Sequence, residues 1–222
     1  MAQPPPDAAA SIPPGLGNAL RGMADAPFRL TRNYQEQQWR ADRKGAHPNI
    51  LIFEKLFVRR MGQHNVPVFA HNMIRDLGHQ RRLYDEGVSN AKPGQSPHQY
   101  GCAVDIVHGT KAWKLRDEQW LLMGHIGHEL AIQLGVRLVW GGDWRRKPTD
   151  KVGWDPAHWQ LANWREVKDA MDDAEWDGQP VTAYEVAYAT KDVCLRAREE
   201  RWPDHIRPYA SVDWQEDLKR GR

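Results

Sequence analysis

Ser96-Pro97-His98-Gln99-Tyr100-Gly101-Cys102-Ala103-Val104-Asp105 is the stretch of this 222-residue chain from which the fold and the chemistry are best predicted. His98 lies in a loop that enters a strand, and Gly101 lets the backbone turn without a side chain in the way. Asp105 follows on the strand, among apolar neighbours. Because burying an unpaired carboxylate is very unfavourable, Asp105 needs a counter-charge, and a metal ion would supply one.

A second motif, Asp155-Pro156-Ala157-His158, completes a set of metal ligands. His98, Asp105 and His158 offer two imidazoles and one carboxylate to a single ion, and leave a position open for water. Asp155 lies one turn of chain before His158, where it can act as general base and then donate a proton to a leaving amine. This inventory predicts a Zn²⁺ hydrolase.

The two motifs differ in specificity. A DxxH string alone is a weak indication because it occurs by chance, whereas SxHxxGxAxD is much more specific. Their combination favours a metal site, although a metal that only holds the fold together remains an alternative.

Hydrophobic periodicity predicts an α+β fold, with a small central antiparallel sheet flanked by helices. The predicted helices span residues 49–61, 76–86, 117–134 and 163–174, and the predicted strands span 66–70, 101–107, 136–140 and 157–161. The order lacks the regular βαβ rhythm and the phosphate-loop glycines of a doubly wound fold.

Composition divides the chain into three parts. Residues 1–27 are rich in Pro, Ala and Gly and are expected to form a flexible arm. Residues 28–178 would form the metal-binding domain, and residues 179–222 a helical extension with a polar tail. A single helix is predicted over 183–201 within that extension.

Charge and hydropathy exclude several partners. Lys and Arg total 31 against 29 Asp and Glu, without a block of like charges, so a nucleic-acid partner is not expected. No apolar stretch approaches the roughly 18 residues of a membrane helix, so stable membrane insertion is not expected either. The N-terminal residues lack the features of a secretory signal, which predicts a cytoplasmic location at synthesis. The oligomeric state stays open.

Eleven tryptophans are many for this length, and most are expected to fill the core. Four of them crowd around the second motif and could instead line a saccharide or peptide groove: Trp140, Trp144, Trp154 and Trp159.

Three strings together resemble the zinc D-Ala-D-Ala carboxypeptidases (VanY-like), and most closely their phage endolysin branch, the L-alanyl-D-glutamate peptidases. They are Gln95–Asp105, Trp140-Gly141-Gly142-Asp143-Trp144 and Asp155–His158, and the resemblance covers about residues 50–164. It implies a hedgehog/DD-peptidase-like fold, zinc bound by His98, Asp105 and His158, and Asp155 as the catalytic base.

The resemblance also implies two substrate-binding residues. Ile74-Arg75-Asp76, followed by Gln80 and Leu83-Tyr84, matches the spacing of a family string whose arginine contacts a substrate carboxylate or carbonyl. A guanidinium gives directional hydrogen bonds to such groups. Ser96 would hydrogen-bond substrate or orient the site, and it is not expected to be a nucleophile because no triad accompanies it.

The predicted function is therefore hydrolysis of an amide bond in the peptide stem of bacterial peptidoglycan, with the L-Ala–D-Glu bond preferred. One alternative is a D-Ala-D-Ala carboxypeptidase or dipeptidase. An alternative of another class is a non-catalytic phage structural or wall-binding protein with a structural metal. An endolysin-like enzyme would act on the cell wall after its release, or as a component of the virion.

Overall fold

A computed structural model describes residues 15–176 and 179–207. Its helices are α1 (Gly17–Arg21), α2 (Ala26–Arg29), α3 (Arg32–Gln38), α4 (Pro48–Gln63), α5 (Leu77–Asp85), α6 (Asp117–Leu134), α7 (Trp164–Asp173), α8 (Ala183–Ala189) and α9 (Leu195–Arg198). Its strands are β1 (Val68–Asn72), β2 (Ala103–His108), β3 (Leu138–Trp140), β4 (His158–Leu161), β5 (Glu175–Trp176) and β6 (Gln179–Pro180). Short 3₁₀ turns cover Pro97–Tyr100 and Gly141–Asp143.

The central sheet has four antiparallel strands in the order β1-β2-β4-β3, and β5 and β6 form a separate two-stranded pair. In the central sheet, β2 pairs with β4 so that Asp105 lies directly opposite His158. On the other side of β2, Asn72 of β1 pairs with Asp105, next to an irregularity at His71. The α+β class and the small antiparallel sheet predicted from the sequence are confirmed.

Helices α4 and α6 pack against each other, and α4 also covers β1 and β2. Two glycines of α6 let indole rings approach the helix backbone. A Cβ atom at Gly124 would lie 2.4 Å from Cη2 of Trp140, and one at Gly127 would lie 2.2 Å from Cζ2 of Trp159. The two rings stack with centroids 5.7 Å apart and are buried, so these two tryptophans are core residues and do not line a groove.

The predicted flexible arm is wrong for residues 15–27. This segment forms α1 and the start of α2, and Ala19 and Met23 are buried in the same cluster as the central helices. His108 of β2 holds the segment in place, because its Nε2 lies 2.8 Å from the carbonyl oxygen of Met23. Residues 1–14 lie outside the described residues.

The C-terminal extension also differs from the prediction. In place of one helix over 183–201 the structure has α8 and α9, separated by Lys191 in a left-handed conformation with φ of 61°. Helix α8 packs on α7 and α9 packs on α4. Val193, Ala197 and Trp202 join the buried cluster, so the extension is part of one core. The predicted polar tail beyond residue 207 lies outside the described residues.

Within the described part of the chain, no helix combines the length and the apolar character needed to cross a bilayer.

Candidate metal centre

The structure brings together the three residues predicted to bind a metal. His98 comes from the 3₁₀ turn before β2, Asp105 from β2 and His158 from the start of β4. Nε2 of His98 lies 3.1 Å from Oδ1 of Asp105 and 3.1 Å from Nδ1 of His158, and that Nδ1 lies 3.0 Å from the same Oδ1. Among the described residues these three are the group of His, Cys, Asp and Glu side chains that could hold a metal ion.

Local backbone geometry explains how His98 reaches this position. Gly101 ends the 3₁₀ turn with φ of 62°, a left-handed conformation that favours glycine, and a Cβ there would lie 2.9 Å from Cα of Ala46. The chain can therefore reverse tightly between His98 and β2. The predicted role of Gly101 as a turn residue is confirmed.

Hydrogen bonds on the far side of each imidazole orient the two rings. Nδ1 of His98 lies 2.9 Å from the carbonyl oxygen of Met73, which can only accept, so that nitrogen carries the proton. Nε2 of His158 lies 2.9 Å from Oε1 of Gln160, which accepts in the same way. With both rings neutral, the lone pairs on Nε2 of His98 and Nδ1 of His158 point into the group that they form with Asp105.

This donor set fits a zinc ion. Three lone-pair atoms face one another at 3.0–3.1 Å, an arrangement that needs a shared cation or a proton between them. Zinc bonds of about 2.0–2.2 Å in a tetrahedral site place neighbouring ligand atoms about 3.3–3.6 Å apart, a few tenths of an ångström more than the separations seen here. His98 and His158 are only 2% and 5% exposed, as expected for ligands that would approach the ion from the protein interior.

The pKa values within this group are shifted by burial and by the contacts of the three side chains with one another. Burial alone would raise the pKa of Asp105, but the charges and hydrogen bonds of His98 and His158 hold it well below its usual range. Burial lowers the pKa of His98, which favours the neutral ring. For His158, burial acts to lower the pKa, and the hydrogen bond and charge of Asp105 outweigh it and raise the pKa.

Asp155 lies beside the group without joining it. A turn connects it to His158, whose backbone N–H donates to the carbonyl oxygen of Asp155 at 3.1 Å. Burial, and then the negative charge of Asp105, raise the pKa of Asp155 to about 6. A Cβ on Gly141 would lie 2.2 Å from the Asp155 carbonyl oxygen, so this turn needs glycine at position 141.

Arg75 also reaches the site, directly after β1. Its Nη2 lies 3.3 Å from Oδ2 of Asp105, and its Nη1 donates to Oε1 of Gln80 at 2.8 Å. Gln80 is itself buried, and its Nε2 donates to Oγ of Ser89 and to the carbonyl oxygen of Ala91. Within the described residues, Nε of Arg75 is buried and has no hydrogen-bond partner.

The other residues singled out in the sequence take different positions. Ser96 is buried and precedes the 3₁₀ turn, and its side chain makes no capping hydrogen bond. The ring of Trp144 lies 5.2 Å from the ring of His158, and Trp154 is 39% exposed next to Trp144. Two of the four tryptophans around the second motif therefore lie at the site, and two lie in the core.

Sequence reasoning did not find two residues near the site. Gln160 orients His158 by accepting a hydrogen bond from its ring. The sequence feature that could have revealed it is its position two residues after His158, which places both side chains on the same face of β4. His71 of β1 lies within electrostatic range of Asp105 and Arg75, and burial lowers its pKa. Its ring meets that of Trp113 edge-on at 4.6 Å. A bulge in β1 places His71 there, and local periodicity does not reveal such a bulge.

A family model described as D-alanyl-D-alanine carboxypeptidase matches residues 89–161. The matched segment runs from the loop after α5 to the end of β4, and it contains His98, Asp105, Asp155 and His158. The resemblance inferred from the sequence is confirmed over this segment.

Two solved structures are similar to part of the chain. The L-Ala D-Glu endopeptidase ChiX of Serratia marcescens is 24% identical, and the similarity covers 62% of this chain and 92% of that protein, with a TM-score of 0.44. A mutant of the vancomycin-resistance D,D-pentapeptidase VanY from the VanB-type resistance cassette, in complex with Zn(II), is 14% identical. That similarity covers 57% of this chain and 77% of the VanY chain, with a TM-score of 0.38.

Proposed function

We propose that the protein is a zinc peptidase that hydrolyses an amide bond in the peptide stem of peptidoglycan, with the L-Ala–D-Glu bond as its target. The observation that carries the proposal is the meeting of three lone-pair atoms of His98, Asp105 and His158 at 3.0–3.1 Å. Asp155, with a raised pKa, and the guanidinium of Arg75 lie within electrostatic range of this group.

His98, Asp105 and His158 would hold the ion, which when bound supplies Lewis acidity that polarises an amide carbonyl and acidifies a water molecule. Asp155 would take a proton from that water on its carboxylate. The carboxyl group is ionised at neutral pH, so it can accept this proton and then pass it to the leaving amine.

Arg75 would bind the substrate through its guanidinium, which lies beside the group and is 8% exposed. Its Nη1 and Nη2 nitrogens are fixed by Gln80 and Asp105, so the guanidinium is oriented before the substrate arrives. A preorganised donor of this kind can stabilise negative charge that develops on a carbonyl oxygen, or pair with a substrate carboxylate. Ser96, at the entrance to the 3₁₀ turn, stays a predicted substrate-binding residue.

The test is to incubate the zinc-loaded protein with purified cell-wall sacculi and to identify the released termini by mass spectrometry. The expected products carry a new N-terminal D-glutamate. Asp155→Asn should abolish their release while zinc content is kept, and Asp169→Asn, which changes an exposed carboxylate on α7, should have no effect. If the wild-type protein releases no new amine or carboxyl terminus, the function is not that of a peptidoglycan peptidase.

The same experiment separates the alternatives. The description of the matching family favours a second candidate, a D-Ala-D-Ala carboxypeptidase, which would release free D-alanine. A wall-binding or structural protein with a structural metal would sediment with sacculi but release nothing, and Asp155→Asn would leave that binding unchanged. Zinc analysis of wild type and His98→Ala shows whether the predicted ligands hold the metal.

The endolysin-like role is part of this proposal. It rests on the resemblance of three sequence strings to phage L-alanyl-D-glutamate peptidases. Purified protein added to bacteria with a permeabilised outer membrane should clear a turbid suspension. If the Asp155→Asn variant also clears the suspension, the clearing does not come from hydrolysis at this site.

A further inference from the structure

A loop beside the metal centre, residues 143–154, combines exposed aromatic and cationic side chains; we refer to it as the strap. It is closed at its base, because the backbone N–H of Gly153 donates to the carbonyl oxygen of Gly142 and that of Trp154 donates to the carbonyl oxygen of Trp144. A Cβ on Gly153 would lie 2.5 Å from the carbonyl oxygen of Gly141. The closed base holds Trp144 and Trp154 side by side, with ring centroids 5.5 Å apart.

The strap leads outward from the metal ligands in a series of contacts. The Trp144 ring lies 5.2 Å from the ring of His158, Trp154 follows, and Cζ of Arg146 lies 5.5 Å from the centre of the Trp154 ring. Trp154 is 39% exposed and Arg146 is exposed, so both can meet a ligand that extends from the metal centre.

The charges on the strap are mostly positive. Its four cationic side chains are all exposed: Arg145, Arg146, Lys147 and Lys151. Of its two acids, Asp150 accepts the backbone N–H groups of Arg146 and Lys147, and Asp143 pairs with His128 of α6 at 3.4 Å. Across residues 15–176 and 179–207, no acidic side chain forms an ion pair with the four cations. The strap therefore offers positive charge to an anionic ligand.

We propose that the strap is a binding subsite for a carboxylate of the peptide stem, in which Arg146 pairs with the carboxylate and Trp154 packs on the adjoining peptide. This inference rests on the proposed function and identifies the part of the substrate that is recognised. A D-glutamate joined to the chain through its γ-carboxyl group keeps a free α-carboxylate. A guanidinium fork matches that group in shape and charge.

The test uses two synthetic peptides, an N-acylated L-Ala-γ-D-Glu-L-Lys with a free α-carboxylate on glutamate and the same peptide with that group amidated. Arg146→Gln in the zinc-loaded enzyme should raise KM for the acid peptide about tenfold and leave kcat within about twofold. It should leave KM for the amidated peptide unchanged. Trp154→Ala should raise KM for both peptides.

A matched control is available on α7, where Cζ of Arg165 lies 4.6 Å from the ring centre of Trp164. Arg165→Gln removes the same kind of pairing outside the strap and should change neither KM. Calorimetric titration of the peptides into the zinc-loaded Asp155→Asn variant, with and without Arg146→Gln, measures binding in the absence of turnover. The loss of affinity should again be confined to the acid peptide.

The outcomes separate this inference from the proposed function. If sacculi are hydrolysed but Arg146→Gln changes KM equally for both peptides or for neither, the carboxylate subsite is refuted and the peptidase stands. Equal losses would indicate that Arg146 contacts a part of the peptide that the two peptides share. If nothing is hydrolysed but the acid peptide binds in an Arg146-dependent manner, the subsite stands and the peptidase does not.

Discussion

Replacement of Asp155 by Asn is expected to stabilise the metal-free protein at neutral pH, although it removes the proposed catalytic base. Burial and the charge of Asp105 raise the pKa of Asp155 from its ordinary 3.8 to about 6. Each pH unit of such a change corresponds to about 1.4 kcal/mol, so the folded state favours the neutral carboxyl over the ionised one by about 3 kcal/mol. An asparagine side chain is neutral at every pH and avoids this penalty.

The sign of the pH dependence follows from the raised pKa. Below about pH 3.8 the Asp155 carboxyl is protonated in both the folded and the unfolded state, and it contributes no penalty. Between pH 3.8 and about 6 the unfolded state loses its proton first, so wild-type stability falls as the pH rises. Above about pH 6 the group is ionised in both states and the full penalty remains.

The assay is urea unfolding with a chelator present, followed by far-ultraviolet circular dichroism at several pH values. The stability advantage of Asp155→Asn should be about 0.5 kcal/mol at about pH 4 and approach about 3 kcal/mol at about pH 7.5. Asp169→Asn should show no such trend, because that carboxylate is 73% exposed. An advantage that is absent at neutral pH, or that does not grow with pH, would refute the burial argument. Bound zinc should shrink the advantage, because its charge favours the ionised carboxylate.

Three further predictions concern packing and the metal. Gly127→Ala would place a methyl group 2.2 Å from the Trp159 ring, so it should lower the free energy of unfolding by about 1–3 kcal/mol in urea titrations. Gly17→Ala is the control, because a methyl group there meets only the tip of an arginine side chain, and it should leave the free energy of unfolding unchanged. Gln160→Leu removes the acceptor that orients His158 and should weaken zinc binding about 10- to 100-fold in competition with a chromophoric chelator; an unchanged affinity would contradict the tautomer argument. Chelation should lower the melting temperature of the wild type, and added zinc should restore it, since the ligand atoms otherwise face one another without a cation.

Local signals were sufficient for the central elements of the fold. The helix predicted over 117–134 is observed as Asp117–Leu134, because its apolar spacing ends at Gly135, which has φ of 65° and closes the helix. Asp76 caps α5 as predicted, accepting the backbone N–H of His79. These features depend on side chains within one or two turns of each other, which is the range that periodicity and capping rules cover.

Long-range contacts decided the parts that the sequence did not predict. The break between α8 and α9 is stabilised by Asn49, whose Oδ1 accepts the backbone N–H of Cys194 and whose Nδ2 donates to the carbonyl oxygen of Asp192. The residues of these bonds are more than 140 positions apart in sequence. The composition of residues 15–27 also led to a wrong prediction, that of a flexible arm. A segment rich in Pro, Ala and Gly can still bury a few side chains, such as that of Met23, in the core.

Within the site, the meeting of three side chains could be predicted from the sequence, and the orientation of the two imidazole rings could not. The spacing of His98, Asp105 and His158 pointed to a shared ion, and the cross-strand register of β2 and β4 explains why two of them meet. The nitrogen that each ring presents depends on Met73 and Gln160, and the Met73 contact uses a backbone carbonyl that any residue could provide. No sequence pattern can identify a contact of that kind.

The pKa values of the two acids of the site, Asp105 and Asp155, differ because of surroundings that the sequence does not specify. Asp105 receives the two imidazoles and Nη2 of Arg75, and these partners keep it ionised. Asp155 has no hydrogen bond to its carboxylate among the described residues, and its burial, followed by the charge of Asp105, raises its pKa. Two carboxylates whose environments push their pKa values apart are suited to different tasks, one to hold a cation and the other to exchange a proton. The assignment of Asp105 as ligand and Asp155 as base therefore rests on this asymmetry, and loss of the asymmetry in Asp155→Asn is what the unfolding experiment measures.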